Sequence, residues 1–244
     1  MKRLTYFIMI VMFVVPLQIS AQRKITFFAS DGMEITADLY LYDSGAPYII
    51  LLHKENSSRG EFREIAPKLQ KMEFNCLAVD LRSGKESNFI KNETAAFAQT
   101  NKIPVTLLDC EKDIRATIEF LGKTAGKKQC ILFGSSFSAS LAMKVGNQNS
   151  RVAAVIAFSP GEYFFPLTVK DWLKDFNQLV YVTATKREQP FVAEIVSDIP
   201  ARLITPYQSG EIQGAPALWN DNPQAGEILM SLMLFITKVK EEKY

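Results

Sequence analysis

Gly134-Ser135-Ser136-Phe137-Ser138 places three hydroxyl side chains within five residues, between the apolar run 130–133 and the small-residue stretch 139–143. A strand that turns straight into a helix lifts one residue clear of the sheet edge. Small side chains are needed two places before and two places after that residue, because the backbone folds tightly there. Gly134 and Ser138 fill those places around Ser136, which makes Ser136 a candidate nucleophile. The same residues fit a plainer reading, a helix start whose orphan N–H groups Ser135 or Ser136 caps. Such a serine attacks a carbonyl only when a base takes its proton and a carboxylate orients that base. The chain offers one histidine, His53.

The elements that must hold these residues alternate along the chain. Residues 24–29 and 33–42 flank Ser30-Asp31-Gly32, a hairpin signal. Ile35, Ala37, Leu39 and Leu41 alternate with more polar neighbours, as in a strand wetted on one side. Residues 48–52 are a continuous apolar run suited to a strand buried on both faces, residues 75–79 read as the next strand, closing on Asp80, and the spacing predicts a helix over 60–72 between them. Leu107, Cys110, Ile114, Thr117, Ile118 and Leu121 recur at helical spacing before the strand 129–133. Residues 152–158, 179–183 and 202–205 read as three further strands, and 222–240 as a closing helix. A hairpin followed by repeated strand–helix units implies a mostly parallel sheet covered by helices on both faces. Sites on such sheets gather at the C-terminal strand ends.

Residues 1–21 read as a secretory signal peptide: Lys2 and Arg3, an apolar run over 4–15, Pro16, then small residues before Gln22. The run is shorter than the ~20 residues of a spanning helix, so no stable membrane span is expected once the leader is removed, and a periplasmic or extracellular location is. Residues 22–244 are long enough for one domain. Taking Lys2 and Arg3 from the 28 basic residues leaves 26 against 26 acidic ones, a balance that gives nucleic acid no foothold. Three cysteines leave at least one unpaired, and Cys76 and Cys130 lie in apolar runs that favour packing. No Cys/His spacing suggests a metal, and no cofactor is expected.

Three blocks carry a family resemblance. One is Leu51-Leu52-His53-Lys54-Glu55 through Phe62, another Asp80-Leu81-Arg82-Ser83-Gly84, and the third the turn at Ser136 followed by Ala157-Phe158-Ser159-Pro160-Gly161. Together they resemble an α/β-hydrolase, nearest to the small secreted, dienelactone-hydrolase-like members, over nearly all of residues 22–244. The resemblance implies an eight-stranded, mostly parallel sheet, with the third strand lying between those of Cys76 and Cys130. It also implies a triad in the order Ser, acid, His, and an esterase-like site for a small acyl or ester substrate. Glu188 stands where the acid belongs, within a loop 185–188. Gln213-Gly214 stands where family members carry His-Gly, and glutamine has no basic nitrogen. The family's oxyanion hole maps onto the N–H groups of Phe137 and Lys54. His53 is then either a surrogate base or a residue that shapes the oxyanion loop. Two functions follow: a serine hydrolase with an unusual base, or a catalytically degenerate relative that binds a ligand or partner in the old cleft. Residues 82–104 and 161–176 are the candidate cleft walls, with Phe89, Phe97, Phe164, Phe165 and Trp172 as candidate pocket residues.

Overall fold

The computed structural model describes residues 22–126, 129–147 and 149–244; the expected leader lies outside them. Eight strands form one sheet: β1 (Gln22–Phe28), β2 (Glu34–Tyr40), β3 (Tyr48–Leu52), β4 (Asn75–Val79), β5 (Cys130–Ser135), β6 (Val152–Phe158), β7 (Leu179–Ala184) and β8 (Ile204–Gln208). Their spatial order is β1-β2-β4-β3-β5-β6-β7-β8. Only β2 runs against its neighbours; every pairing from β4 to β8 is parallel. β3, β4 and β6 are buried at every residue; β3 and β6 are unbroken apolar runs, and β4 is apolar after its buried Asn75. β3 separates β4 from β5, and Cys76, Cys110 and Cys130 are all free and buried.

Seven α-helices cover the sheet among the described residues: α1 (Ala66–Gln70), α2 (Glu93–Thr100), α3 (Cys110–Thr124), α4 (Phe137–Gly146), α5 (Val169–Trp172), α6 (Gln189–Ile195) and α7 (Ala225–Lys243). On one face an aromatic row of Phe133, Phe158, Tyr181 and Tyr207 crosses four strands and meets Phe235 of α7. On the other, Gly146 of α4 packs where an added Cβ would come within 2.5 Å of Val155.

Some boundaries differ from the sequence reading. The helix expected over 60–72 is split into a 3-10 turn, Arg59–Phe62, and α1, which begins at Ala66 with Pro67 in its first turn. The polar connection 82–104 holds a two-stranded hairpin (Glu86–Ser87, Ile90–Lys91) and α2, capped by the Asn92 side chain on Ala95 N–H at 2.7 Å. The last strand is shifted to Ile204–Gln208, and the closing helix to Ala225–Lys243.

Register lines up the strand ends that matter. Leu52 pairs with Val79 and Gly134, Ser135 with Phe158, Phe158 with Thr183, and Ala184 with Gln208. Asp80, His53, Ser136, Ser159 and Thr185 therefore follow one another along a single edge, at strand spacings of about 4.8 Å. Two buried arginines fasten the loops there. Arg59 pairs with Asp38, Asp80 and Glu93, and Arg82 with Asp31 and Asp113. Burial pushes the carboxyls of Asp80 and Asp113 up to about 6, against the pull of those guanidiniums.

Candidate active site

The chain reaches Ser136 through a turn that only its sequence allows. A Cβ on Gly134 would stand 2.4 Å from Ser138 O and 2.5 Å from Ala139 Cα, so glycine is what lets α4 start directly on β5. The Ser138 hydroxyl accepts from Ser135 N–H at 2.9 Å and donates to Leu52 O at 2.7 Å. Serine in place of a second glycine thus ties the turn to the end of β3. Ser136 has φ 59° and ψ −123°, a region that costs ~1–3 kcal/mol for a residue with a side chain. Its N–H is held by Phe158 O at 2.8 Å, and the residue is 8% exposed. The Phe137 N–H lies in the first turn of α4, among the donors a helix start leaves without an intrahelical partner.

Four side chains from four segments then join in a line. Ser136 Oγ lies 2.8 Å from the Tyr163 hydroxyl. Gln213 Nε2 reaches the same hydroxyl at 3.4 Å and donates to Glu188 Oε1 at 2.6 Å. Because a carboxylate oxygen accepts, the amide nitrogen and not the amide oxygen faces Glu188. Glu188, at the cap of α6, also accepts from Thr185 N–H at 3.0 Å and from the Ser159 hydroxyl at 2.8 Å. Gly214, at φ 75°, brings the Gln213 loop down on β5: its N–H donates to Ser159 Oγ at 3.1 Å, and an added Cβ would stand 2.5 Å from Ser135 Oγ. The structure therefore brings Ser136, Glu188 and Gln213 together.

Tyr163 is the member of this line that sequence reasoning missed. It sits in the loop after β6, where the Ser140 hydroxyl holds both Gly161 O (2.8 Å) and Gly161 N–H (3.0 Å). The signal in the sequence is the Gly161-Glu162-Tyr163 run, which lies inside the candidate cleft wall 161–176. Burial raises the phenol above its usual range. The bond to Ser136 opposes this, while the charges of Glu188 and Glu55 add to it. The hydroxyl accordingly stays protonated at neutral pH.

His53 is placed away from base chemistry. It is fully buried, with Nδ1 donating to Lys54 O at 2.7 Å. Nε2 accepts from Leu81 N–H at 2.9 Å and from Asn92 Nδ2 at 3.1 Å. Two donors at Nε2 fix the neutral tautomer, and burial lowers the pKa further, against the Lys54 carbonyl and the charge of Glu61. Neither nitrogen has a lone pair left for the proton of Ser136, so the surrogate-base reading is corrected; the ring instead ties the β3 end to the β4 loop and to the cap of α2. The Lys54 donor is corrected too. Its N–H is taken at 3.0 Å by Oε2 of buried Glu61. Glu55, the next residue, has no acceptor for its N–H among the described residues. The expected pocket aromatics divide as well. Phe89 and Phe165 are almost wholly exposed, whereas Phe164 packs on Trp172 with ring centres 5.1 Å apart.

As chemistry, Ser136 donates to the Tyr163 oxygen, but the line holds no base that could take the serine proton. The amide nitrogen of Gln213 is not basic, and Tyr163 keeps its proton.

No curated relative matches the chain in sequence. Among solved structures, an esterase from Pyrococcus furiosus superposes with a TM-score of 0.71 at 14% identity, over 89% of this chain and 91% of its own. A dienelactone hydrolase from Anabaena variabilis gives 0.66 at 13%, over 89% and 97%. Est1E from Butyrivibrio proteoclasticus, holding ferulic acid, gives 0.69 at 12%, over 89% and 100%. At these identities the likeness is one of fold. Residues 47–228 match the alpha/beta hydrolase fold family in sequence. With the strand order and the turn at Ser136, that match identifies the chain as a member of the α/β-hydrolase fold family.

Proposed function

We propose that this α/β-hydrolase holds a small acyl or ester compound at Ser136 without being an effective hydrolase. One observation carries the reading: at the triad's base position an amide, Gln213, donates to Glu188 at 2.6 Å and offers Ser136 nothing that accepts a proton. Losing the base leaves ~10³–10⁴ over the uncatalysed rate, from binding and oxyanion donors, where enzymes reach ~10⁶ or more. The ligand class rests on fold analogy with the esterases above and on the donors at the strand ends. In this reading Ser136 and the Phe137 N–H hold the carbonyl oxygen of the bound compound, Tyr163 holds the Ser136 hydroxyl, and Glu188 orients Gln213. The Glu55 N–H takes the second oxyanion position in place of Lys54.

A second reading, an esterase-like serine hydrolase with Ser136 as nucleophile, is favoured by the strained backbone retained at Ser136. It needs a proton acceptor brought by the substrate itself. Turnover of p-nitrophenyl acetate separates the two. Binding without hydrolysis requires kcat/KM of the wild type to stay within about tenfold of Ser136→Ala, with slow fluorophosphonate labelling. A wild type exceeding Ser136→Ala by ~10³ or more, the range a working triad serine supplies, establishes the hydrolase.

A further inference from the structure

α7 is apolar on more of its surface than the domain can cover. From Ile228 to Thr237 it carries no charged residue. Its inner side buries Ile228, Leu232, Phe235, Ile236 and Val239. Its outer side exposes Met230 (59%) and Leu234 (70%), with Leu229 and Met233 half-exposed beside them. A helix apolar all round is ordinarily covered on every side. Among the described residues no helix is long and apolar enough to cross a membrane, and α7 ends in Lys238, Lys240 and Lys243.

The charges at the edges of this stripe indicate what covers it. Glu227 and Lys238 are exposed and eleven residues apart, close to three turns, so they lie on the same flank of the outer face. Now let a second α7 lie antiparallel across the first, related by a two-fold axis near Leu232. Met230 then meets Leu234 of the second copy, twice over. The two-fold keeps each flank on its own side, and so brings Glu227 opposite Lys238 of the second copy at both ends of the contact. Lys238 is free to turn, because its ion pair with Glu242 is long, at 3.9 Å.

We infer that the outer face of α7 is a self-complementary surface for a second copy of this chain. Such an isologous contact needs one stripe to be its own partner, and an apolar centre with opposite charges at its ends satisfies that. A contact of two helices falls among small interfaces, below about 1,200 Å² in total, so the dimer is weak and is read at protein concentrations of about 10–200 µM.

Sedimentation velocity of the protein as isolated from expressing cells tests it, with circular dichroism confirming that each variant is folded. The expected result is a reversible dimer that Leu234→Glu weakens by at least tenfold. Glu227→Lys and Lys238→Glu should each weaken it several-fold, and the double exchange should restore it. Three outcomes overturn the inference: a monomer across the whole concentration range, a dimer indifferent to Leu234→Glu, or a double exchange no better than the single ones. Vesicles of phosphatidylcholine and phosphatidylglycerol provide the control. Binding to them that is lost in Leu234→Glu, with no dimer in solution, assigns the stripe to a lipid surface instead.

Discussion

If an amide at the base position is what silences Ser136, then Gln213→His should restore turnover by an amount the geometry sets. The acid is already in place: Glu188 Oε1 lies 2.6 Å from the Gln213 nitrogen and would accept from an imidazole Nδ1 instead. A general base contributes ~10²–10⁴-fold. Tyr163 stands in the way, however, because its hydroxyl holds Ser136 Oγ at 2.8 Å, where the imidazole Nε2 must reach. Breaking that bond costs ~0.5–1.5 kcal/mol net, or about two- to twelvefold in rate at ~1.4 kcal/mol per tenfold. Gln213→His alone is therefore expected to raise kcat/KM for p-nitrophenyl acetate by ~10–10³, and Gln213→His with Tyr163→Phe by ~10²–10⁴. Both gains should vanish when Ser136→Ala is added, and shrink when Glu188→Gln is added, because the carboxylate then no longer fixes the tautomer. The assay is the initial rate of p-nitrophenolate release, checked by fluorophosphonate labelling of Ser136. A double variant no faster than wild type refutes the reasoning, since it would mean that the missing base is not what limits the site.

The remaining predictions concern the framework. His53 has a folded pKa below its unfolded value of ~6.5, so on its own it contributes stability that is lost as pH falls through ~6.5, while Asp80 and Asp113, raised to about 6 in the fold, act the other way below that pH. The NMR signal of the chain's one imidazole, followed between pH ~7.5 and ~5, should titrate below ~6.5 in the native state, and titration near ~6.5 would contradict it. Ser138→Gly should destabilise by ~1–3 kcal/mol in urea unfolding, because the buried Ser135 N–H loses its acceptor. Gly214→Ala should cost ~2–4 kcal/mol, combining a positive φ with a Cβ forced against Ser135 Oγ. N-terminal sequencing of exported protein should begin at Gln22, and an intact Met1 would rule the leader out.

What was legible in the sequence was what depends on local pattern. Tyr48–Leu52 spells double-sided burial residue by residue and is a strand with those ends, and Asn75–Val79 and Val152–Phe158, which read as strands, keep their ends too. The turn at Ser136 could be read because its steric demand falls on neighbours two residues away. Other features resisted for physical reasons. α2 buries only Thr94 and Ala98, too little to print a period. Tyr163 meets Ser136 across 27 residues, and Glu61 takes the Lys54 N–H across seven. Both are side-chain choices that backbone pattern does not constrain. The role of His53 was hidden for a related reason. Its chemistry depends on which groups face its two nitrogens, and Leu81 and Asn92 reach it from other segments.

On the proposed reading, the residue at 213 lets the site lose a step and keep its frame. Glu188 is held by Thr185 and Ser159 through Oε2, and Gln213 is the donor that meets Oε1. An apolar side chain at 213 would leave that oxygen without this donor, beside Gly214 and Ser159, which clamp the loop to β5. Leaving a buried or half-buried acceptor unpaired costs ~1–3 kcal/mol. Glutamine presents an N–H to the acid much as a triad histidine would, so the carboxylate stays satisfied and the loop keeps its place. What it lacks is a second nitrogen with a lone pair, and Tyr163 then fills the space between the amide and Ser136 with a hydroxyl that retains its proton. The requirements of folding and of catalysis at this position are thus separable: the donor to Glu188 serves the first, and only a base would serve the second.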